Sequence, residues 1–146
     1  MASGMYNKAI QEMAKALIDL DTDTLKIMLV GSGYTFDPDH DTVNQASGSE
    51  ISVSGYTGGF GGAGRKTVTI TVNENDTNNR ADVVIGDLTW TALATGATVA
   101  GAILIKEAGG ADSGSRLIAY FDLTDTPTNG GDFTLDFSAS GNILIG

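Results

Sequence analysis

Most of the chain alternates between apolar and polar residues with a period of two, a pattern typical of half-buried β-strands. The clearest example is the segment 66–72 (KTVTITV), in which valine and isoleucine alternate with threonine. Comparable patterns predict further strands at 24–30, 50–56, 80–85, 88–93, 98–106, 116–123, 133–138 and 142–145. Polar or glycine-rich turns separate these segments. We therefore predict a mainly β fold, an antiparallel, jelly-roll-like β-sandwich of about eight or nine strands.

One segment near the N-terminus follows the helical period instead. Its apolar residues are spaced 4, 3, 4 and 3 apart, at Tyr6, Ile10, Met13, Leu17 and Leu20. Such spacing places them on one face, so we predict one short amphipathic α-helix at about residues 5–18, capped by Ser3. The apolar face is expected to rest on the sheet or on a neighbouring subunit. No helical pattern follows residue 20, which argues against a parallel β–α–β sheet.

Two long segments are predicted as loops within a single domain that covers residues 1–146. Residues 31–50 are polar and contain glycine and proline, and residues 57–65 include five glycines between 58 and 64. Loops of this length are usually functional or ordered by a partner. We therefore expect both segments to lie over adjacent subunits of an assembly.

Composition excludes several classes of function. The 8 lysines and arginines stand against 18 aspartates and glutamates, a net charge of −10. Binding to nucleic acid or to an anionic membrane requires clustered cations, so neither partner is expected. The chain has no cysteine, which excludes disulfides and thiolate chemistry. It contains neither an apolar run of ~20 residues nor a secretory signal pattern.

The glycine-rich segment resembles a phosphate-binding loop only in part. Gly59 and Gly64 have the required spacing, but Arg65 stands where lysine is needed. A phosphate-binding loop must also open a helix, whereas this one leads into a strand pattern. We therefore interpret the segment as a flexible hairpin or contact loop.

Two acidic clusters raise the question of calcium binding. They are Asp19, Asp21 and Asp23, and then Asp37, Asp39 and Asp41. Neither cluster has the glycine and glutamate that an EF-hand carries at its sixth and twelfth positions. Aspartates that cap helices and form turns explain both clusters more simply, so no metal or other cofactor is predicted.

The single histidine, His40, lies between two aspartates in a polar loop. A histidine can act as a general base, but the sequence places no serine as its nucleophile and contains no cysteine. Among the many acidic residues no pair stands out as a glycosidase dyad. We therefore predict that the protein is not an enzyme and that no residue is catalytic.

Aromatic residues suggest a carbohydrate-binding module as an alternative function. Trp90 lies in strict alternation and is predicted to be in the core, whereas Tyr56 and Phe60 flank glycines and are predicted to be exposed. The candidate contact residues are Tyr34, Phe36, His40, Tyr56, Phe60 and Arg65.

Five stretches in order resemble a group of small virion proteins of tailed bacteriophages. They are residues 21–30 (DTDTLKIMLV), 34–43 (YTFDPDHDTV), 53–56 (VSGY), 89–91 (TWT) and 138–145 (SASGNILI). The VSGY stretch is one residue shorter than the pattern of that group. The shared motifs are structural, and none marks a catalytic site.

This resemblance implies a non-enzymatic structural protein located in the virion, which is assembled in the host cytoplasm. The function expected first is capsid decoration, in which a cement protein binds the outside of the head and stabilises it. A subunit associated with the tail, connector or fibre is the alternative. The implied partners are further copies of the chain in a homo-oligomer and the major capsid protein or other virion proteins.

Overall fold

The computed structural model describes residues 3–137 and 143–145. The fold is mainly β, with antiparallel sheets and one α-helix, as the alternating pattern predicts. The strands are β1 Gly4–Met5, β2 Leu25–Val30, β3 Lys66–Thr67, β4 Ile70–Asn75, β5 Arg80–Ile85, β6 Leu88–Trp90, β7 Thr98–Lys106, β8 Arg116–Pro127, β9 Phe133–Leu135 and β10 Ile143–Ile145. The helix α1 covers Asn7–Ala14, and two single 3₁₀ turns cover Val43–Gln45 and Ser47–Ser49.

The strands form three antiparallel sheets. Strands β1-β8-β7-β2-β3 lie side by side in the largest sheet, β10-β5-β4 form a second, and β6 and β9 form a third. Strand β7 lies between two neighbours and is buried along its length except at its two ends. This explains why its sequence is almost continuously apolar rather than alternating. One hydrophobic core joins side chains from all three sheets, among them Ile103, Val83 and Trp90.

The helix is shorter than predicted, and only part of its predicted apolar face is buried in this chain. It ends at Ala14, and its buried residues are Ala9 and Glu12. Ile10 and Leu17, predicted to rest on the sheet or on a neighbouring subunit, are 48% and 58% exposed. The Glu12 carboxylate pairs with Arg116 of β8, with Nε 2.9 Å from Oε1. Burial of this charged side chain is tolerated because its partner carries the opposite charge.

The helix ends in a Schellman motif. The Ala16 N–H donates to the Met13 carbonyl and the Leu17 N–H donates to the Glu12 carbonyl, while Ala16 adopts a left-handed φ of 56°. Glycine normally occupies this position, so the sequence carries no stop signal here. The predicted Ser3 cap is also wrong. The N-cap residue is Tyr6, and the Ser3 hydroxyl accepts a hydrogen bond from the Asp122 N–H.

The predicted strand 66–72 is divided between two sheets. Lys66 and Thr67 pair with β2, whereas β4 begins at Ile70 and pairs with β5. Val68 is buried at the crossing, but Val72 is 42% exposed. The strand continues beyond its predicted end at residue 72 to Asn75, and the polar turn that follows covers 76–79. Alternation predicts a strand here but not the change of sheet.

Other predicted strands differ from the structure in extent, and the strand predicted at 88–93 covers only Leu88–Trp90. Residues 50–56 form no continuous strand, and Glu50 makes only an isolated bridge to Val30. Strand β8 runs four residues beyond its predicted end at Leu123, to Pro127. The predicted last strand is present over Ile143–Ile145, while its first residue, Asn142, lies outside the described residues.

Candidate contact sites

A buried ionic cluster is centred on Arg65. Its guanidinium contacts Glu50 through Nε (2.9 Å to Oε1) and Nη2 (2.7 Å to Oε2). It also contacts Asp112 through Nη1 (2.6 Å to Oδ1) and Nη2 (3.3 Å to Oδ2). The Arg65 side chain is 1% exposed, that of Glu50 7% and that of Asp112 30%. Arg65 thus joins three segments through two bidentate pairs, a geometry that arginine matches well.

Tyr56 and Phe60 complete this cluster, which we call the Arg65 cluster. The Tyr56 hydroxyl donates to Glu50 Oε1 (2.8 Å) and accepts from the Leu29 N–H (3.0 Å). The Phe60 ring lies over the guanidinium of Arg65, 4.6 Å from its centroid to Cζ. Tyr56 is 1% exposed, so the prediction that it is an exposed aromatic is wrong. Phe60 is half-buried against the core.

The glycine-rich loop is fastened to the body of the protein by the same cluster. The Gly59 N–H donates to Glu50, and the Trp90 indole N–H donates to the Gly64 carbonyl. A Cβ at Gly64 would lie 2.6 Å from both the Thr57 carbonyl and the Tyr56 ring, so only glycine fits. Trp90 is fully buried, as its alternation predicts. Within this chain the loop is therefore a packed element rather than a free arm.

Burial and ion pairing act on the pKa values of the Arg65 cluster in opposite ways. Burial opposes the charged form of Arg65, but its hydrogen bonds with Glu50 and Asp112 outweigh burial and raise its pKa. Burial, followed by the negative charge of Glu50, raises the pKa of Tyr56 far above that of free tyrosine. The cation is therefore permanent, and the tyrosine remains a neutral donor.

The loop 31–50 carries a second cluster of predicted contact residues. The hydroxyls of Tyr6 and Tyr34 lie 2.7 Å apart, and the Tyr34 hydroxyl lies 3.1 Å from His40 Nδ1. His40 Nε2 lies 3.9 Å from Asp37 Oδ2, and the histidine side chain is 26% exposed. Tyr34 is buried, and burial raises its pKa. Only the histidine end of this chain of polar groups reaches solvent.

Stacked rings attach the same loop to the core. Phe36 stacks on Tyr120 with a centroid separation of 5.4 Å and an angle of 11°, and it meets Tyr6 edge-on at 5.2 Å. The Pro38 carbonyl accepts from the Asn7 N–H at the start of α1. The Leu117 N–H of β8 donates to the Asp41 carbonyl. The loop thus lies along its own helix and strand, and its bonds to them are internal.

The acidic clusters act as turns. Asp23 Oδ2 accepts from the Asp19 N–H and pairs with Lys106 Nζ at 2.7 Å. In the second cluster the Asp37 carboxylate accepts from the Asp39 N–H. Across residues 3–137 and 143–145, no group of three or more histidine, aspartate or glutamate side chains is placed to hold a metal ion. The hydrogen bonds of Asp19 and Asp39 to Asp23 and Asp37 confirm the prediction that both acidic clusters form turns.

In the part of the chain that the structure describes, the exposed large apolar side chains are Ile10, Leu17, Val72 and Ile145. Leu17 is held firmly, because its N–H donates to Glu12 and its carbonyl accepts from Lys106 Nζ at 2.6 Å. Val72 lines an open groove of about 350 Å³ together with Met13, Ala16, Ile18, Asp19, Leu20 and Asp21. The sequence could not single out these residues, since each lies in a regular alternating or helical pattern.

The structure divides the six predicted contact residues between two clusters. Tyr34, Phe36 and His40 meet in one, and Tyr56, Phe60 and Arg65 meet in the other. Sequence reasoning missed Glu50 and Asp112, which lie 15 and 47 residues from Arg65. No local pattern could reveal these pairings. Whether any of the six contacts a partner stays a prediction.

Comparison with known proteins gives no relative. The sequence matches no family model and no curated protein, and the structure matches no solved structure. Among the described helical residues, no helix has the length and hydropathy needed to cross a membrane.

Proposed function

We propose that this chain is a non-enzymatic structural protein of a tailed-bacteriophage virion, and specifically a decoration protein that binds the outside of the head and stabilises it. The resemblance of five ordered stretches to small virion proteins supports this role. One structural observation carries it further. The polar side chains best suited to chemistry, Arg65, Tyr56 and His40, are each engaged in fastening loops.

Rigid loops suit a protein that acts through contact. A loop that is ordered only on binding loses about 1–2 kcal/mol of backbone entropy per residue. Here the two long loops are already held by Arg65 and by the stacked Phe36 and Tyr120 rings, so that cost is absent from assembly. Many identical weak contacts across a shell then add up by multivalency and oppose its rupture.

The way in which the sheets stack is part of the same proposal. We propose that the sheets stack as a jelly-roll-like sandwich. Support comes from the common core, in which Leu104 of the largest sheet, Ile85 of the second and Leu135 of the third belong to one buried cluster.

The helix α1 is the proposed shell-facing surface. Ile10 and Leu17 are apolar and exposed, and Leu17 is fixed by backbone hydrogen bonds on both sides. An anchor that is rigid before binding loses little conformational entropy when it is buried, which favours affinity. The major capsid protein is the proposed occupant of this surface.

Heads purified without this protein provide the test. Adding the protein should saturate the heads and raise the temperature at which they release DNA. Leu17→Ser should reduce the bound copies at least tenfold, whereas Leu17→Met, which keeps an apolar side chain, should bind as the parent chain does. Both variants should unfold at the parent temperature, because Leu17 is mostly exposed.

Three results would contradict the decoration role. They are heads that bind no protein, heads that gain no thermal resistance on binding, and labelled protein found on tails in electron micrographs. The last result would favour the tail or connector alternative. Binding unaffected by Leu17→Ser would reject only the proposed shell-facing surface.

A further inference from the structure

The outer edge of β4 presents a defined set of backbone groups. The Gly86 N–H donates to the Thr69 carbonyl, and the same antiparallel register continues into the pairs Thr71↔Val84 and Asn73↔Asp82. In such a ladder, alternate residues point their N–H and C=O groups toward the neighbouring strand. The groups of Ile70, Val72 and Glu74 therefore point away from β5.

This edge is open in the described part of the chain. Strand β4 is the last strand of the sheet β10-β5-β4, and its pairing with β5 has no bulge. No hydrogen bond from the backbone N–H or C=O of Ile70, Val72 or Glu74 to a residue outside the sheet appears among the described residues. Natural edge strands are usually protected by charged residues, proline or a bulge, and β4 has a single charged residue, Glu74, with no proline and no bulge.

An open groove borders the same edge. Ile70 and Val72 share the sheet face that carries the buried residues Val83 and Ile85 of β5. Val72 is 42% exposed and lines the groove with apolar residues, among them Met13 and Leu20, and with Asp19 and Asp21. A strand added to β4 would place alternate side chains over this groove, which is how edge-binding strands gain specificity.

We propose that the occupant of this edge is β4 of a second copy of the chain, paired antiparallel about a two-fold axis at Val72. In this register Val72 faces its own copy, and Ile70 faces Glu74 of the second copy. The three residues with outward backbone groups thus pair only among themselves, each pair exchanging two hydrogen bonds. If the register shifts by two residues in either direction, one of these three residues lies opposite Val68 or Asp76 of the second copy. Because Val68 and Asp76 lie outside β4, that pair falls outside the two paired strands.

Within β4 itself, charge is compatible with this pairing. Glu74 is the single charged residue of β4. In the proposed register the two Glu74 side chains are four residues apart along the strands, about 13 Å. That separation exceeds the screening length of about 8 Å at physiological ionic strength. The two Val72 side chains, each exposed in the single chain, cover one another at the axis, an isologous contact.

The proposal is independent of a role in the virion. It concerns the isolated protein, so its test uses no heads. A chain that dimerises but does not bind heads would contradict the decoration role alone, and a chain that binds heads as a monomer would contradict the dimer alone.

Single cysteines test the register, because the chain has no cysteine of its own. Under mild oxidation Val72→Cys should form a covalent dimer, since facing residues lie about 5.5 Å apart and a disulfide spans that distance. Thr71→Cys alone and Asn73→Cys alone should stay uncrosslinked, because each residue is offset by two positions from its copy. A mixture of these two variants should form a mixed dimer, since residue 71 faces residue 73.

Intact-mass measurement without reductant reports each product. Failure of Val72→Cys and of the mixture to cross-link would overturn the proposal, as would equal cross-linking of Thr71→Cys with itself. Sedimentation equilibrium gives an independent reading. Val72→Lys, which opposes two cations at the axis, should raise the dimer dissociation constant at least tenfold, whereas Thr71→Lys should change it less than threefold. A parent chain that stays monomeric at millimolar concentration would also reject the dimer.

Discussion

The Arg65 cluster and the surface formed by α1 and β4 differ in which groups are buried and which are exposed. Around Arg65, charged side chains are buried, and their ion pairs and hydrogen bonds are made inside the chain. At α1 and β4, aliphatic side chains are exposed and an edge of backbone groups has no partner among the described residues. The Arg65 cluster holds the loops of its own chain in place. The surface of α1 and β4 presents groups that a partner could contact.

Because of this difference, the first region should determine the stability of the protein and the second its binding to partners. Buried ion pairs are expensive to desolvate and stabilise a fold only when every partner is present. Exposed aliphatic side chains contribute little to folding, but they stabilise a complex when association removes their apolar area from water. Substitutions at the Arg65 cluster should therefore change the free energy of unfolding, whereas those at Leu17 or Val72 should change binding alone.

Arg65→Met should have the largest effect on stability. It leaves the Glu50 side chain, which is 7% exposed, without its cation. Removing one partner of a buried pair destabilises proteins by about 3–5 kcal/mol. Urea unfolding followed by tryptophan fluorescence, from the buried Trp90, measures the change.

A double substitution is the matched control for Arg65→Met. Arg65→Met combined with Glu50→Gln removes both charges, so it should recover more than half of the lost stability. A loss below about 1 kcal/mol for Arg65→Met alone would show that Glu50 reaches solvent or takes up a proton, and that the cluster does not hold the loops.

Alkaline pH should unfold the protein steeply. Burial raises the pKa of Tyr6 and Tyr56 well above the ordinary value of about 10, and raises that of Tyr120 to about 12. These groups stabilise the fold fully below pH 10, where the unfolded chain also keeps the protons. Above pH 10 the unfolded chain releases protons that the folded chain retains. Stability should then fall by about 1.4 kcal/mol per pH unit for each such tyrosine.

Tyrosinate absorbance at 295 nm provides the measurement. It should stay low as the pH passes 10 and should rise together with loss of the fold. Tyr56→Phe should be less stable at neutral pH, because the Leu29 N–H and Glu50 lose a partner, yet its stability should fall less steeply above pH 10. Absorbance that rises near pH 10 in the folded protein would contradict burial of these hydroxyls.

Sequence patterns predict much of the fold because they report local burial. Alternation located β2, β5 and β7 almost to the residue, and it placed Trp90 in the core. It could not predict that 66–72 changes sheet, since both halves keep the same period. The fold class was therefore accessible from the sequence, but the pairing of strands was not.

The candidate sites were less accessible than the fold. Arg65 and Tyr56 were recognised beside the glycine-rich segment, but their partner Glu50 was placed in a strand that does not form. Burial of Tyr56 follows from that long-range contact. Exposure of Leu17 follows from the early end of α1 at Ala14, after which Ala16 takes a left-handed φ although it carries no stop signal. The first case arises where a long-range contact overrides a local pattern, and the second where a helix-ending motif lacks its usual glycine.

Ala16→Gly should stabilise the protein modestly. Ala16 holds a left-handed φ of 56°, which costs a residue with a side chain about 1–2 kcal/mol and costs glycine almost nothing. The greater freedom of glycine in the unfolded chain offsets part of this gain, so about 0.5–1 kcal/mol should remain. Ala14→Gly, within the helix, should destabilise by a similar amount. Urea unfolding of both variants measures the difference, and equal effects would contradict the Schellman end.

Acid should loosen the β4–β5 hairpin. Hydrogen bonds from Asn75 and then Arg80 lower the pKa of Asp82 below its ordinary value. A depressed pKa means that Asp82 stabilises the folded state above the unfolded pKa, near 3.9, and that this contribution is lost as the pH falls through the folded value. Carboxyl NMR titration should show the low pKa, and Asn75→Ala should raise it. Amide hydrogen exchange in β4 should become faster in the same pH window. If the Asp82 carboxyl of the parent chain titrates with an ordinary pKa, this explanation of acid loosening is wrong. Because part of the Asp82 side chain, 18%, still reaches solvent, this effect should be the smallest of the four and local to the β4–β5 hairpin.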